Sequence, residues 1–228
     1  MLFKNEHTLS LMPKIFVVFS ITVASCLAGY LIFGNVNDLI SWLQPYKADG
    51  NFIRQVIVIS CLLFYILRLF ITIFVFLKRK FVWGEAIIVA GLMSFALFSL
   101  AHIGGSSTVE INLLDYSGIV LFLIGSWMNT QSEYTRHIWK QNKDHKGKLY
   151  TQGLFKYSMH INYFGDILLF TGLTLIAQSF SLLIIPIAMA LNFIFFVIPR
   201  LDKYLATKYG DEFNEYASRT KKLITGIY

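Results

Sequence analysis

Long apolar runs alternate with short polar, basic blocks along this 228-residue chain. A membrane-crossing helix needs roughly 20 mainly apolar residues. The first run that qualifies extends from about Ile15 to Phe33, and the second from about Phe52 to Leu77 with Arg68 inside it. The third lies near Ile87 to Ile103 and the fourth near Leu113 to Met128. Two more, about Tyr163 to Leu183 and Leu183 to Ile198, have almost no loop between them. They predict a tight helical hairpin that turns at Gln178, Ser179 and Ser181. After Arg200, Asp202, Leu205 and Tyr209 suit one amphipathic helix ended by Gly210. A second short helix over Glu212 to Thr220 places Tyr216 four residues after Glu212. The expected fold is all-α and polytopic, with about six transmembrane helices, a C-terminal hairpin and cytoplasmic tail helices.

Composition agrees with the pattern. Apolar residues make up 56% of the chain and charged residues 14%, against about 25% charged in soluble domains. The net charge of +7 would suggest nucleic acid if it coated a soluble surface. Here the positive charge sits in blocks between the apolar runs, as the positive-inside rule requires. With the N-terminus inside, Lys4, Lys14, Lys78 to Lys80, Arg136 to Lys156 and the tail from Arg200 carry 17 of the 20 basic residues on the cytoplasmic side. The opposite side holds Lys47 and Arg54 with Asp38, Asp49, Glu110 and Asp115. Both termini are therefore expected in the cytoplasm, with a bacterial inner membrane as the host. Cys26 and Cys61 lie inside apolar runs, so no disulfide framework is implied. The first run is too long for a signal peptide and is followed by Asn35 and Asn37, without a small-residue cleavage pattern.

No repeat or linker divides the chain, and one integral membrane domain over 1–228 is expected. Residues 1–128 form a four-helix scaffold part, and 129–228 carry the chemistry. Arg68 lies close enough to Lys78 to snorkel toward the cytoplasmic face. His102 lies near the outer end of the third span, where a structural histidine is the default. If the fourth helix continues beyond the membrane, Asn129, Glu133, Arg136 and Lys140 fall on one of its faces. Lys143 to Lys148 reads as a polar turn. Asn162, Tyr163 and Asp166 share a face at the mouth of the fifth helix, beside His160, and an aspartate that near hydrocarbon must meet water, a cation or donors. Gly165 leaves room for close approach by a helix or a ligand. HxxxH, HExxH and cysteine clusters are absent, so no metal site is expected. A Walker loop and a Rossmann fingerprint are absent too.

These residues resemble a membrane superfamily. It comprises the C-terminal domains of steroid 5-alpha reductases and sterol C14/C7 reductases, with isoprenylcysteine carboxyl methyltransferases and phospholipid methyltransferases. The first element is Gly153, Leu154, Met159, His160, Asn162, Tyr163, Gly165 and Asp166; the second is Arg200, Asp202, Lys208, Tyr209, Gly210, Phe213 and Tyr216. The resemblance covers roughly Asn129 to Tyr228. Asn129, Gln131 and Arg136 match the reductases' Asn-x-Gln-x-x-x-x-Arg element, Gly165-Asp166 resembles their Gly-Asp, and Thr225-Gly226-Ile227-Tyr228 their Pro-Gly-Ile-Phe/Tyr ending. The chain's short length is closer to the methyltransferases. In place of the motif arginine stands Met159, and Ile161 takes the place of a frequent proline.

The reductase resemblance implies hydride transfer from NADPH to an activated carbon–carbon double bond of a steroid, sterol or prenyl-like lipid that enters from the bilayer. It assigns Asn129, Gln131, Arg136, Lys140, Asn162, Asp166, Arg200 and Asp202 to the cofactor. Tyr163 is the foremost proton donor, with His160 and Tyr216 behind it. The methyltransferase branch implies S-adenosylmethionine in the same place, with His160, Asn162, Tyr163 and Asp202 lining it. A non-catalytic lipid-binding protein on the same fold is the third reading, and Met159 is its support. The partner in every case is a membrane lipid, with neither nucleic acid nor a protein partner expected.

Overall fold

The computed structural model describes residues 10–34, 41–224 and 226–228. Lys4, Asn35, Asn37, Asp38 and Thr225, which entered the sequence reading, lie outside them. Among the described residues the chain forms eight α-helices and no strand. These are α1 (Leu11–Phe33), α2 (Phe52–Ile71), α3 (Trp83–Ser106), α4 (Leu113–Gln141), α5 (Ile161–Ile176), α6 (Ile184–Asn192), α7 (Ile198–Tyr209) and α8 (Asp211–Arg219). A π turn over Thr72–Phe76 extends α2, and another over Phe193–Val197 joins α6 to α7.

Four helical stretches are long and apolar enough to cross a membrane: Leu11–Phe33, Phe52–Phe76, Trp83–Ser106 and Phe180–Tyr209. At about 1.5 Å per residue the shortest reaches roughly 35 Å, longer than a hydrocarbon core of about 30 Å. Their outward surfaces carry side chains such as Leu63, Leu92 and Phe95, each more than 60% exposed. Surface of that size and polarity belongs in lipid. The protein is thus an all-α, polytopic membrane protein. Helix α4 does run on through its polar half to Gln141. Two boundaries differ from expectation. Helix α5 ends at Ile176, because the chain turns at Gln178 with a left-handed φ of 55°. The last apolar run passes Ile198 without a break and continues to Tyr209, where Gly210, at φ 55°, ends it.

The chain folds as two compact units. The first comprises the residues up to Phe122 together with Thr171–Leu183. At one end of it, Lys14 Nζ donates to the Leu77 carbonyl (2.6 Å) and the Phe81 amide to Ser10 Oγ (2.6 Å). At the other, backbone bonds from Ala48 to Leu31, Gly50 to Gly105 and Asn51 to Ser107 tie the loop before α2 to the ends of α1 and α3. His102 is structural, with Nε2 2.7 Å from the Tyr46 carbonyl and its ring stacked on Phe98.

Two arginines of this unit depart from expectation. Arg68 does not snorkel out: it is 7% exposed, with its guanidinium over the Tyr65 ring at 5.2 Å. Arg54 is not a loop charge on the outer face but fully buried. Its Nε and Nη2 donate to the two carboxylate oxygens of Asp115 (2.8 and 2.9 Å), and Nη1 donates to the Val109 carbonyl (2.6 Å). Gln178 Nε2 and the Asn112 amide also donate to Asp115 (2.9 and 3.0 Å). Taking both charges out of solvent is tolerable because both carboxylate oxygens and every guanidinium nitrogen meet a partner.

The second unit comprises Leu123–Phe170 and Ile184–Tyr228. Here α4 and α5 touch backbone to backbone at Gly125 and Gly165. A Cβ on Gly165 would stand 2.7 Å from the Gly125 carbonyl oxygen and 2.8 Å from the Asn129 amide nitrogen. Gly165 therefore admits a helix, not a ligand. Gly165→Ala should lower stability by about 1–3 kcal/mol through overpacking, read as a drop in the unfolding midpoint in detergent. Gly91→Ala, where nothing lies within 4 Å, should leave the midpoint unchanged or raise it. Equal effects at the two positions would contradict the contact.

Candidate functional site

The polar half of α4 meets the start of α5 in the second unit. Asn129 and Glu133, one helical turn apart, are both buried. Asn129 Nδ2 donates to the Asn162 carbonyl (3.0 Å), and Asn162 Nδ2 donates to Glu133 Oε1 (2.9 Å). The other Glu133 oxygen pairs with Arg136 Nη2, and that guanidinium lies over the Phe155 ring at 5.6 Å. One group is left over: among the described residues no donor meets the buried Asn129 Oδ1. A buried acceptor in that state costs about 1–3 kcal/mol, so a donor supplied from outside the chain would stabilise the site.

A second assembly adjoins Asn162 through the next residue. The half-buried Tyr163 ring stacks on His160 (5.6 Å, 11°) and on Phe193 (4.6 Å, 17°). His160 is 2% exposed, and its Nε2 is 2.8 Å from Asp202 Oδ1 on α7. The second Asp202 oxygen faces Lys222 Nζ at 3.7 Å. The chain beyond α8 fastens this arrangement. The Met159 amide donates to the Lys221 carbonyl (2.8 Å) and the His160 amide to the Lys222 carbonyl (2.9 Å). Ser158 Oγ, fully buried, donates to the Leu223 carbonyl at 2.8 Å. A carboxylate on one imidazole nitrogen fixes the ring's orientation and favours the N–H on that side.

The remaining expected residues take varied places. Asp166 is half-buried, one turn beyond Asn162, and Gln131 is half-buried on the side of α4 away from Asn129 and Glu133. Arg200 is exposed at the start of α7. Lys140 has its side chain at the surface near the end of α4. Partial desolvation of its ammonium, with the positive charges of Arg136 and Lys208 nearby, draws its pKa down to about 8. Tyr216 does not point at His160 or Tyr163. Its hydroxyl donates to the Phe155 carbonyl at 2.5 Å, and burial pushes its pKa up. Together with Phe213 it packs on Met159, which is 5% exposed. Met159 thus serves as an apolar anchor for α8.

Glu133 was not among the expected site residues, although it holds both Asn162 and Arg136. Its spacing from Asn129 and Arg136 on one helical face was the available signal. Lys222 and Ser158 had none. Among the described residues no three His, Cys, Asp or Glu side chains gather as metal ligands. What the arrangement offers is an oriented imidazole, a stacked phenol, an open buried acceptor and cations at the rim. No curated protein matches the chain. The model of the DUF1295 family, described as a protein of unknown function, matches residues 71–220, a stretch that includes every one of these residues except Lys221, Lys222 and Leu223. The chain, an all-helical protein of the membrane, therefore belongs to the DUF1295 family.

Proposed function

We propose that this protein is an integral membrane reductase that uses NADPH to saturate an activated carbon–carbon double bond of a lipid. The observation that carries the reading is the pair of linked polar assemblies, Asn129–Asn162–Glu133 and Tyr163–His160–Asp202, at the mouth of an apolar helix. In the same reading the chain crosses the membrane six times, α5 and the following apolar stretch form a hairpin, and both termini face the cytoplasm. Residues 1–128 serve as scaffold and 129–228 as the working part.

The residues present fit the cofactor. Among the described residues Asn129 Oδ1 lacks a donor, and a carboxamide or hydroxyl would supply one. Lys140 and Arg200 stand exposed at the rim, suited to phosphate. Arg136 orients Glu133 and contributes its remaining N–H groups. When bound, NADPH supplies the hydride. Tyr163, held by the two rings it stacks on, donates the proton, and the Asp202–His160 pair orients that phenol. Tyr216 keeps a packing role. Methyl transfer from S-adenosylmethionine at the same polar assemblies is the second reading.

In proteoliposomes, NADPH consumption should depend on an added lipid enone and yield the saturated product. Methylation of a lipid acceptor with no enone reduction would overturn the assignment. The affinity for NADPH should also fall as pH rises through about 8. The protonated Lys140 binds phosphate, phosphate raises its pKa in the complex, and the gain is lost above the free value of about 8. Lys140→Met should flatten that dependence and weaken binding at neutral pH about five-fold, the yield of an exposed charge pair near 1 kcal/mol. Titrations at several pH values check both.

A further inference from the structure

Among the described residues of the first unit, a buried cation lacks a counter-charge. Lys14, in the first turn of α1, is 7% exposed. Its ammonium donates to the neutral Leu77 carbonyl at 2.6 Å, and among the described residues no carboxylate pairs with it. Lys78 and Arg79 are near enough to repel it. Arg79 is answered by Glu85, whereas Lys78 stands exposed. Covering an ammonium beside further positive charge is unfavourable unless an anion completes the site.

The surroundings indicate where that anion comes from. Met12 (66% exposed), Val82 (42%) and Trp83 (52%) carry apolar surface from the same end of α1 and α3, and Trp83 packs against Phe16 at 5.7 Å. A tryptophan beside lysines at the end of a spanning helix marks the level of lipid headgroups. We propose that Lys14, Lys78 and Trp83 form a binding site for the phosphodiester headgroup of an anionic membrane lipid, with its acyl chains on the exposed face of α1 and α3. The negative headgroup supplies the counter-charge of Lys14, and basic pockets at helix ends take such headgroups.

The full-length protein in neutral detergent is unfolded thermally with phosphatidylglycerol, with phosphatidylcholine of the same acyl chains, or with inorganic phosphate. Phosphatidylglycerol should raise the midpoint by several degrees, and the other two should not, because only a ligand of the folded state shifts it. Lys14→Met should match or exceed the wild-type midpoint without lipid and lose the phosphatidylglycerol response. Lys78→Gln, at an exposed position, should fold normally and weaken the same response, as read by lipid retention in native mass spectrometry. An equal response to both lipids, an equal response to inorganic phosphate, or a response that persists in Lys14→Met overturns the site. So does a Glu6→Gln variant that responds to phosphatidylglycerol where the wild type does not. That result would identify Glu6, outside the described residues, as the counter-charge.

Discussion

Asp115→Ala is expected to lower the unfolding free energy by about 3–5 kcal/mol, the cost of leaving a buried charge without its partner. The carboxylate takes two bonds from Arg54 and one each from Gln178 and the Asn112 amide, and neither Arg54 nor Asp115 is exposed at all. Truncation strands the guanidinium in the interior, where its three bonds to the carbonyls of Ser107, Val109 and Glu110 do not neutralise it. Replacing both charges, as in Arg54→Met with Asp115→Leu, should recover most of the loss, since a packed apolar pair avoids the desolvation penalty. Denaturant unfolding in detergent micelles measures each variant. A single-site loss below about 1 kcal/mol, the yield of an exposed pair, would mean that water reaches the site.

The second large effect falls on turnover. Asp202→Ala should reduce kcat/KM for lipid reduction by about 100-fold or more, in line with the contribution of a positioned acid–base group. The mutation frees His160 Nε2 from its 2.8 Å contact, and the ring under Tyr163 loses its fixed orientation. Asp202→Asn keeps an acceptor for the imidazole N–H and should fall between the variant and the wild type. Tyr216→Phe separates packing from chemistry. It removes the bond to the Phe155 carbonyl and should cost about 1 kcal/mol of stability with little change in kcat. A Tyr216→Phe loss as large as that of Asp202→Ala would move the proton donor to α8.

The order of the helices was legible because membrane spans obey a length rule that acts locally, whereas the ends of α5 and of the last apolar run were not. The polar half of α4 was legible for a different reason, since Asn129, Glu133, Arg136 and Lys140 repeat at helical spacing. The glycine stop at Gly210 was also visible. Contacts between distant segments were not. Arg54 and Asp115 lie 61 residues apart, and nothing in either neighbourhood distinguishes a buried pair from two loop charges. His160, Asn162 and Asp202 were identified through a motif, yet the pairing of His160 with Asp202 depends on where α7 comes to rest. Met159 looked like a damaged motif position because its partners, Phe213 and Tyr216, belong to a helix more than 50 residues away. The backbone pairing of Met159 and His160 with Lys221 and Lys222 leaves no side-chain signature, since any residue but proline can make those bonds.

One measurement bears most directly on the reductase reading. NADPH and S-adenosylhomocysteine are titrated side by side against the folded, detergent-solubilised protein, with Asp166→Ala and Asn162→Ala as controls. Saturable binding of NADPH alone, weakened in both variants, is the expected result. Binding of S-adenosylhomocysteine without NADPH would contradict the reading and make the same polar assemblies a methyl-transfer site.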